Sequence, residues 1–119
     1  QIAQALADLV ESGTRTAIDL GAMPFSERDE RSLREYLGQG EVSARLETFG
    51  PSLITETAYP GVWLIEHQDA EKRRLTLQIE IARVPEILVC PEADLEDSLA
   101  ALQRGAATER NASIECDYE

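Results

Sequence analysis

Few residues in this chain could carry chemistry. It has one histidine, His67 in "IEHQD", and two cysteines, Cys90 in "LVCPE" and Cys116. A nucleophilic triad needs Ser or Cys beside a His and an orienting acid, so His67 is the sole imidazole base available. Its charged strand-end setting reads as a solvated surface histidine. The cysteines lack CxxC spacing, and Cys and His together number three, so no four-ligand structural zinc site can be assembled from them in one chain. Cys90 follows apolar residues and reads as a buried, inert thiol. A Cys90–Cys116 disulfide would need an oxidising compartment and close Cα approach, and two reduced thiols are expected instead. The acid pairs Glu66 with Asp69 and Asp94 with Asp97 could hold a hard cation or move protons. Among 23 acidic residues in 119 such pairs arise by chance, and solvated helix and turn faces are the reading. No G-x-S-x-G, P-loop or G-x-G-x-x-G is present. No catalytic residue, metal ligand or cofactor is therefore assigned, and the chain reads as a domain that binds rather than transforms.

Length and composition fit one folded domain able to bury a core without metals or disulfides, with 43% hydrophobic and 29% charged residues. The expected boundaries are a single domain over 1–105 and an acidic tail over 106–119. Eleven basic residues against 23 acidic give a formal charge of -12, and residues 84–119 hold nine of the acids and two of the bases. Such a field repels phosphate backbones and anionic headgroups, which argues against nucleic-acid and membrane-surface partners. No apolar run approaches a membrane span, and no signal peptide is visible, so a cytoplasmic location is expected.

The elements that must position these residues follow from periodicity. Ile2, Leu6, Leu9 and Val10 recur at helical spacing before Gly13, predicting a short amphipathic helix. "TRTAIDL" is rich in β-favouring residues and predicts a strand or extended segment. In "PFSERDERSLREYLGQG", Ser26 is the N-cap, Asp29 occupies the acid position of a capping box and Gly38 is the C-cap, with Phe25, Leu33 and Leu37 apolar. The period then changes to two. "EVSARLE", "SLITETA", "GVWLIEH" and "LTLQIEIA" predict four successive strands. Tyr59-Pro60-Gly61 suits a type II turn, whereas a tight hairpin prefers the primed turns, so a turn and a wider loop both stay open. "VPEILVCPEADLEDSLAALQRGAA" predicts a short helical turn, then a longer helix with a Leu95, Leu99, Leu102 stripe. The remaining stretch has little periodic apolar content and is expected to be tail, with docking of Ile114 and Tyr118 on the domain left open. The fold class is α+β, an antiparallel meander of about four strands with helices mainly on one face and the other face wet. A homodimer through an exposed strand edge is possible on this layout.

One further signal is a resemblance. "GQGEVSARLETFGPSLITETAYPGVWLIEH" is similar to the HupH/HyaF family of hydrogenase expression proteins. The likeness is carried by "GEVSA" at Gly40 to Ala44, "ET" at Glu56 and Thr57, and "PGVW" at Pro60 to Trp63. It implies a C-terminal domain of an accessory protein for nickel-iron hydrogenase maturation, a chaperone or scaffold whose partners are a hydrogenase subunit precursor or other maturation proteins. The alternative is a small metal-handling protein or enzyme of metal-centre assembly, in which Cys90, Cys116, His67 or an acid pair would act. Pro60, Gly61 and Trp63 are expected to be a structural anchor, with Trp63 buried. Glu41, Arg45, Glu56 and Tyr59 are expected to form a polar and aromatic protein-binding patch; for Glu41 and Glu56, hydrogen bonding to their own turns stays open beside it.

Overall fold

The computed structural model describes residues 1–22, 24–47 and 50–109. They form two compact units, Gln1–Pro85 and Glu86 onward. In the first, α1 (Ile2–Ser12) precedes β1 (Thr16–Asp19), a 3-10 turn over Leu20–Ala22 and α2 (Glu27–Leu37). Four more strands follow: β2 (Ser43–Glu47), β3 (Pro51–Glu56), β4 (Val62–Gln68) and β5 (Arg74–Ile81). The sheet is antiparallel throughout, in the order β1-β5-β4-β3-β2. It has five strands rather than four, because "TAID" pairs with β5 through Thr16 opposite Ile81 and Ile18 opposite Ile79.

Local signals fix the helix ends. The Ser26 hydroxyl accepts from Asp29 N–H and the Asp29 carboxylate accepts from Ser26 N–H, both at 3.0 Å, which satisfies two orphan donors of α2. Gly13 closes α1 in the left-handed region at φ 74°. Both helices lie on one sheet face. Ala5 of α1 and Leu37 of α2 are buried with Val62, Leu64, Leu77, Ile79 and Ile81, while Ile2, Leu6, Leu9, Phe25 and Leu33 pack around them. Each such aliphatic side chain taken out of water contributes about 1.5–3 kcal/mol.

The other face is not uniformly wet. Ile54, Ile65 and Trp63 point away from α1 and α2 and are also buried. β4 is the middle strand, flanked on both sides by neighbours' side chains, so Val62 to Ile65 are all buried and alternation cannot be read there. The reverse holds at Leu75, which shares the apolar phase of "LTLQIEIA" with Leu77, Ile79 and Ile81 yet is 63% exposed at the start of β5. Pro85 is followed by a 3-10 turn over Glu86–Leu88 and Pro91 by α3 (Glu92–Glu109), as the prolines predict. In this second unit Leu95, Leu99 and Leu102 are exposed, and α3 continues past the tail boundary expected at 106. Among the described residues, no helix is long and apolar enough to cross a membrane. Cys116, Ile114 and Tyr118 lie outside the described residues.

Candidate functional site

The end of β3 builds a hydrogen-bonded corner. Glu56 N–H donates to the Val42 carbonyl at 2.9 Å, and the Glu56 carbonyl accepts from Gly40 N–H at 2.8 Å. The Glu56 carboxylate turns back and accepts Glu41 N–H at 3.0 Å and Val42 N–H at 3.3 Å. A side chain at position 40 has no room, because a Cβ there would stand 2.4 Å from the Thr57 carbonyl oxygen and 2.7 Å from the Glu56 carboxylate. Thr57, 2% exposed, donates its hydroxyl to the Val62 carbonyl at 2.9 Å and accepts Tyr59 N–H at 3.1 Å.

Tyr59 to Val62 then close a turn with Val62 N–H on the Tyr59 carbonyl at 3.0 Å, Pro60 first and Gly61 second at φ 94°. Thr57 N–H reaches the Val62 carbonyl at 3.0 Å. The two open readings of this stretch thus coincide: a type II-like turn sits inside a four-residue loop, 58–61. Ala58 N–H donates to the Leu37 carbonyl at 2.9 Å, which ties the loop to the last turn of α2. Trp63 follows, 7% exposed, its indole N–H donating to the Ala82 carbonyl at 3.1 Å.

What this corner holds outward is aromatic. Tyr59 is 45% exposed and stacks on Tyr36 of α2, 73% exposed, with centroids 6.2 Å apart and planes at 27°. The expected patch is only partly assembled. Glu41, Glu56 and Tyr59 meet at the corner, but Glu56 spends its carboxylate on two backbone donors. Arg45 lies three residues along β2 from Val42, about 10 Å at strand rise, where its guanidinium pairs with Glu47. Tyr36 was not singled out from the sequence. It flanks the Leu33 and Leu37 stripe, and a signal existed only in its being an aromatic beside the apolar face.

A second polar cluster lies between α2 and the sheet. Glu30 accepts both Arg74 guanidinium nitrogens at 2.7 and 2.8 Å and Arg34 Nε at 2.9 Å, while Glu66 meets Arg74 at 3.4 Å and Arg34 at 3.5 Å. Two carboxylates and two guanidiniums neutralise one another beside an open cleft also lined by Glu27 and Arg31. The Arg74 hydrogen bonds hold the Glu30 carboxyl at about 2, against the usual 4.5, although burial pulls the other way. Glu30 in turn raises Arg74 above its ordinary value. Glu66 is thus engaged with arginines and not, as a pair with Asp69, with a cation; Asp69 instead caps its own hairpin, accepting from Glu71 and Arg73 N–H groups.

Two sequence readings need correction. His67 is half-buried rather than solvated, its Nδ1 2.7 Å from the hydroxyl of Ser52, which is 6% exposed. Ser52 and His67 face each other across β3 and β4. Cys90 is exposed rather than buried, because the 3-10 turn before it is too short to present an inner face and Ile87 and Val89 are exposed too. Among the described residues, no three His, Cys, Asp or Glu side chains converge as metal ligands would.

Residues 1–108 match the family model described as the HupH hydrogenase expression protein, C-terminal conserved region. The chain belongs to the HupH family. The hydrogenase expression/formation protein HoxQ of Azotobacter vinelandii is 31% identical over 90 residues, 76% of this chain and 32% of the relative. The hydrogenase-1 operon protein HyaF of Escherichia coli is 33% identical over 86 residues, 72% of this chain and 30% of the relative. The chain thus spans about a third of the length of the curated relatives it matches. The hydrogenase expression protein HupH from Thiobacillus denitrificans has the same fold, with a TM-score of 0.87 at 44% identity, covering 91% of this chain and 90% of that one. The three stretches on which the sequence resemblance rests meet at the corner: Gly40 and Glu41 begin "GEVSA", Glu56 and Thr57 are the "ET", and Pro60 to Trp63 are the "PGVW".

Proposed function

We propose that this HupH-type domain serves hydrogenase maturation as a binding module, holding a hydrogenase subunit precursor or another assembly factor rather than catalysing a step. The relatives are named hydrogenase expression and formation proteins, which supports the process. The observation that carries the binding role is the corner at the end of β3. A hydrogen-bond network with buried Thr57 and half-buried Glu56 and Gly40 at its centre holds the corner in place and leaves Tyr36, Tyr59 and Glu41 displayed at the surface. Rigid aromatic anchors ringed by polar groups are the composition of protein interfaces, since they bury much area at little entropic cost. The net charge of -12 favours basic segments of such a partner.

Pull-down against each hydrogenase subunit precursor tests this reading. Glu41→Ala and Tyr59→Ala should melt like the parent yet capture less precursor, with hydrogenase activity in cells falling in parallel. Arg45→Ala, outside the corner, should capture as the parent does. Capture should also weaken as salt screens the charges. A parent chain that captures no precursor and no other assembly factor, or corner variants that fold and capture fully, would refute the binding role at this surface.

A further inference from the structure

We infer that Tyr36 and Tyr59 are the seat of a basic side chain, an arginine or lysine of a partner polypeptide, set over the stacked rings, with Glu35, the residue before Tyr36, and Glu41 of the adjoining corner as the acidic residues of its surroundings. The inference deepens the binding role proposed above and rests on it for the partner's identity, though not for the chemistry of the seat. Each ring gives one face to the other, and exposures of 73% and 45% leave outer faces open to water. A tyrosine face carries the negative lobe of its quadrupole outward and attracts a guanidinium or ammonium.

The surroundings have the matching sign. Glu35 precedes Tyr36 and lines an open cleft with Gly38, Gln39, Thr55 and Thr57. Glu41 joins the corner through its backbone N–H on Glu56. Both are exposed, and no described hydrogen bond or ion pair engages either carboxylate. Tyr36 also occupies the last turn of α2, which ends at Leu37, where the helix macrodipole presents its negative end and favours a cation. Arg34 is committed to Glu30 and Glu66, and Arg45 to Glu47, which leaves Arg31, one turn before Glu35 on α2, as a basic side chain of this helix without a described ion pair. Glu35 and Glu41 enter no described ion pair, and their charge is open to a basic side chain from a partner. Tyr59 is fixed by its N–H on Thr57 and by the 2.9 Å tie from Ala58 to α2, so the seat exists before a ligand arrives.

The test titrates the isotope-labelled chain with the blocked peptide acetyl-Gly-Arg-Gly-Arg-Gly-amide, following backbone amide shifts. Saturable shifts should centre on Tyr36, Gln39, Glu41, Ala58 and Tyr59, and the matching Gly-Gln peptide should produce none. Tyr36→Leu with Tyr59→Leu keeps the charge while removing both rings, and should weaken binding about tenfold, two- to fivefold per ring. Tyr36→Leu alone, on an exposed helix position, provides the same comparison should the double variant fail to melt cooperatively. Glu35→Gln with Glu41→Gln should also weaken binding and flatten its salt dependence. Equal affinity in folded tyrosine variants, or shifts spread evenly over all acidic surfaces including α3, would overturn the seat in favour of plain charge attraction. Precursor capture that survives loss of both rings would overturn the seat and leave the assembly role standing. Peptide binding in a chain that captures neither a precursor nor another assembly factor would sustain the seat and refute that role.

Discussion

Removing Trp63 should cost this domain a large share of its stability. The indole is 7% exposed, so it buries about 200 Å², which at about 25 cal/mol per Å² is about 5 kcal/mol as an upper figure. Alanine keeps part of that burial and neighbours relax into the rest, bringing the expected loss for Trp63→Ala to about 3–5 kcal/mol. Trp63→Phe separates the terms. It retains most of the ring but removes the donor that meets the Ala82 carbonyl at 3.1 Å, and should cost about 1–3 kcal/mol. Set against a typical domain stability of about 5–15 kcal/mol, the alanine variant is left marginal and the phenylalanine variant folded.

Urea denaturation followed by far-ultraviolet circular dichroism measures both, since a slope of about 1–3 kcal/mol per molar converts the alanine loss into a midpoint lowered by about 1–5 M. Trp63 is the one tryptophan of the chain, so parent fluorescence reports on it alone. Emission should be blue-shifted and poorly quenched by acrylamide. Red-shifted, freely quenched emission, or an alanine variant within about 0.5 kcal/mol of the parent, would refute the reasoning and move Trp63 from the interior to a surface.

Glu56→Ala should lower stability by about 1–2 kcal/mol and speed amide exchange at Glu41 and Val42, whose N–H groups lose their acceptor, whereas Glu56→Gln keeps a carbonyl oxygen and should stay near the parent. Gly40→Ala should cost about 1–3 kcal/mol by thermal melt, because its methyl would meet the Thr57 carbonyl at 2.4 Å. For Glu30 the folded pKa of about 2 lies below the usual 4.5, so its stabilisation is present above pH 4.5 and lost as pH falls towards 2. Solvent screening of this surface network limits the effect to about 1 kcal/mol. Glu30→Gln should therefore narrow its stability gap to the parent between pH 5 and pH 2, and a gap constant across that window would refute the linkage.

Features set by neighbours in sequence were the readable ones. Ser26 and Asp29 are three residues apart and cap a helix by themselves, Gly13 needs only its own freedom at positive φ, and Pro60-Gly61 constrains a turn whatever follows. Where long-range pairing decides the environment, the pattern misled. Leu75 belongs to the apolar phase of β5 yet lies at the strand's open end. Glu80 belongs to its polar phase yet is buried, held by Arg15 at 2.6 Å. His67 looked solvated because Ser52, its partner across the sheet, is fifteen residues away. β4 defeated alternation altogether, since a strand with neighbours on both sides can bury both faces.

The corner shows how the two kinds of information divide. "GEVSA", "ET" and "PGVW" mark its place in sequence, but sixteen positions separate Gly40 from Glu56 and twenty-three separate Tyr36 from Tyr59, and only strand register and the α2 tie bring them together. Register also assigns their tasks. Gly40, Glu56 and Thr57 are joined within the corner and Trp63 lies opposite Glu56 in register, so substitutions there are expected to act first on stability, and any loss of partner capture in them to follow from unfolding. Tyr36, Tyr59, Glu35 and Glu41 project from that frame and make few contacts that folding needs. On the proposed binding role, their removal is expected to act on binding with the melting transition unchanged. A motif residue and a recognition residue are then distinguishable by which of the two measurements moves, and Glu56, read from sequence as part of the binding patch, is expected to move the first.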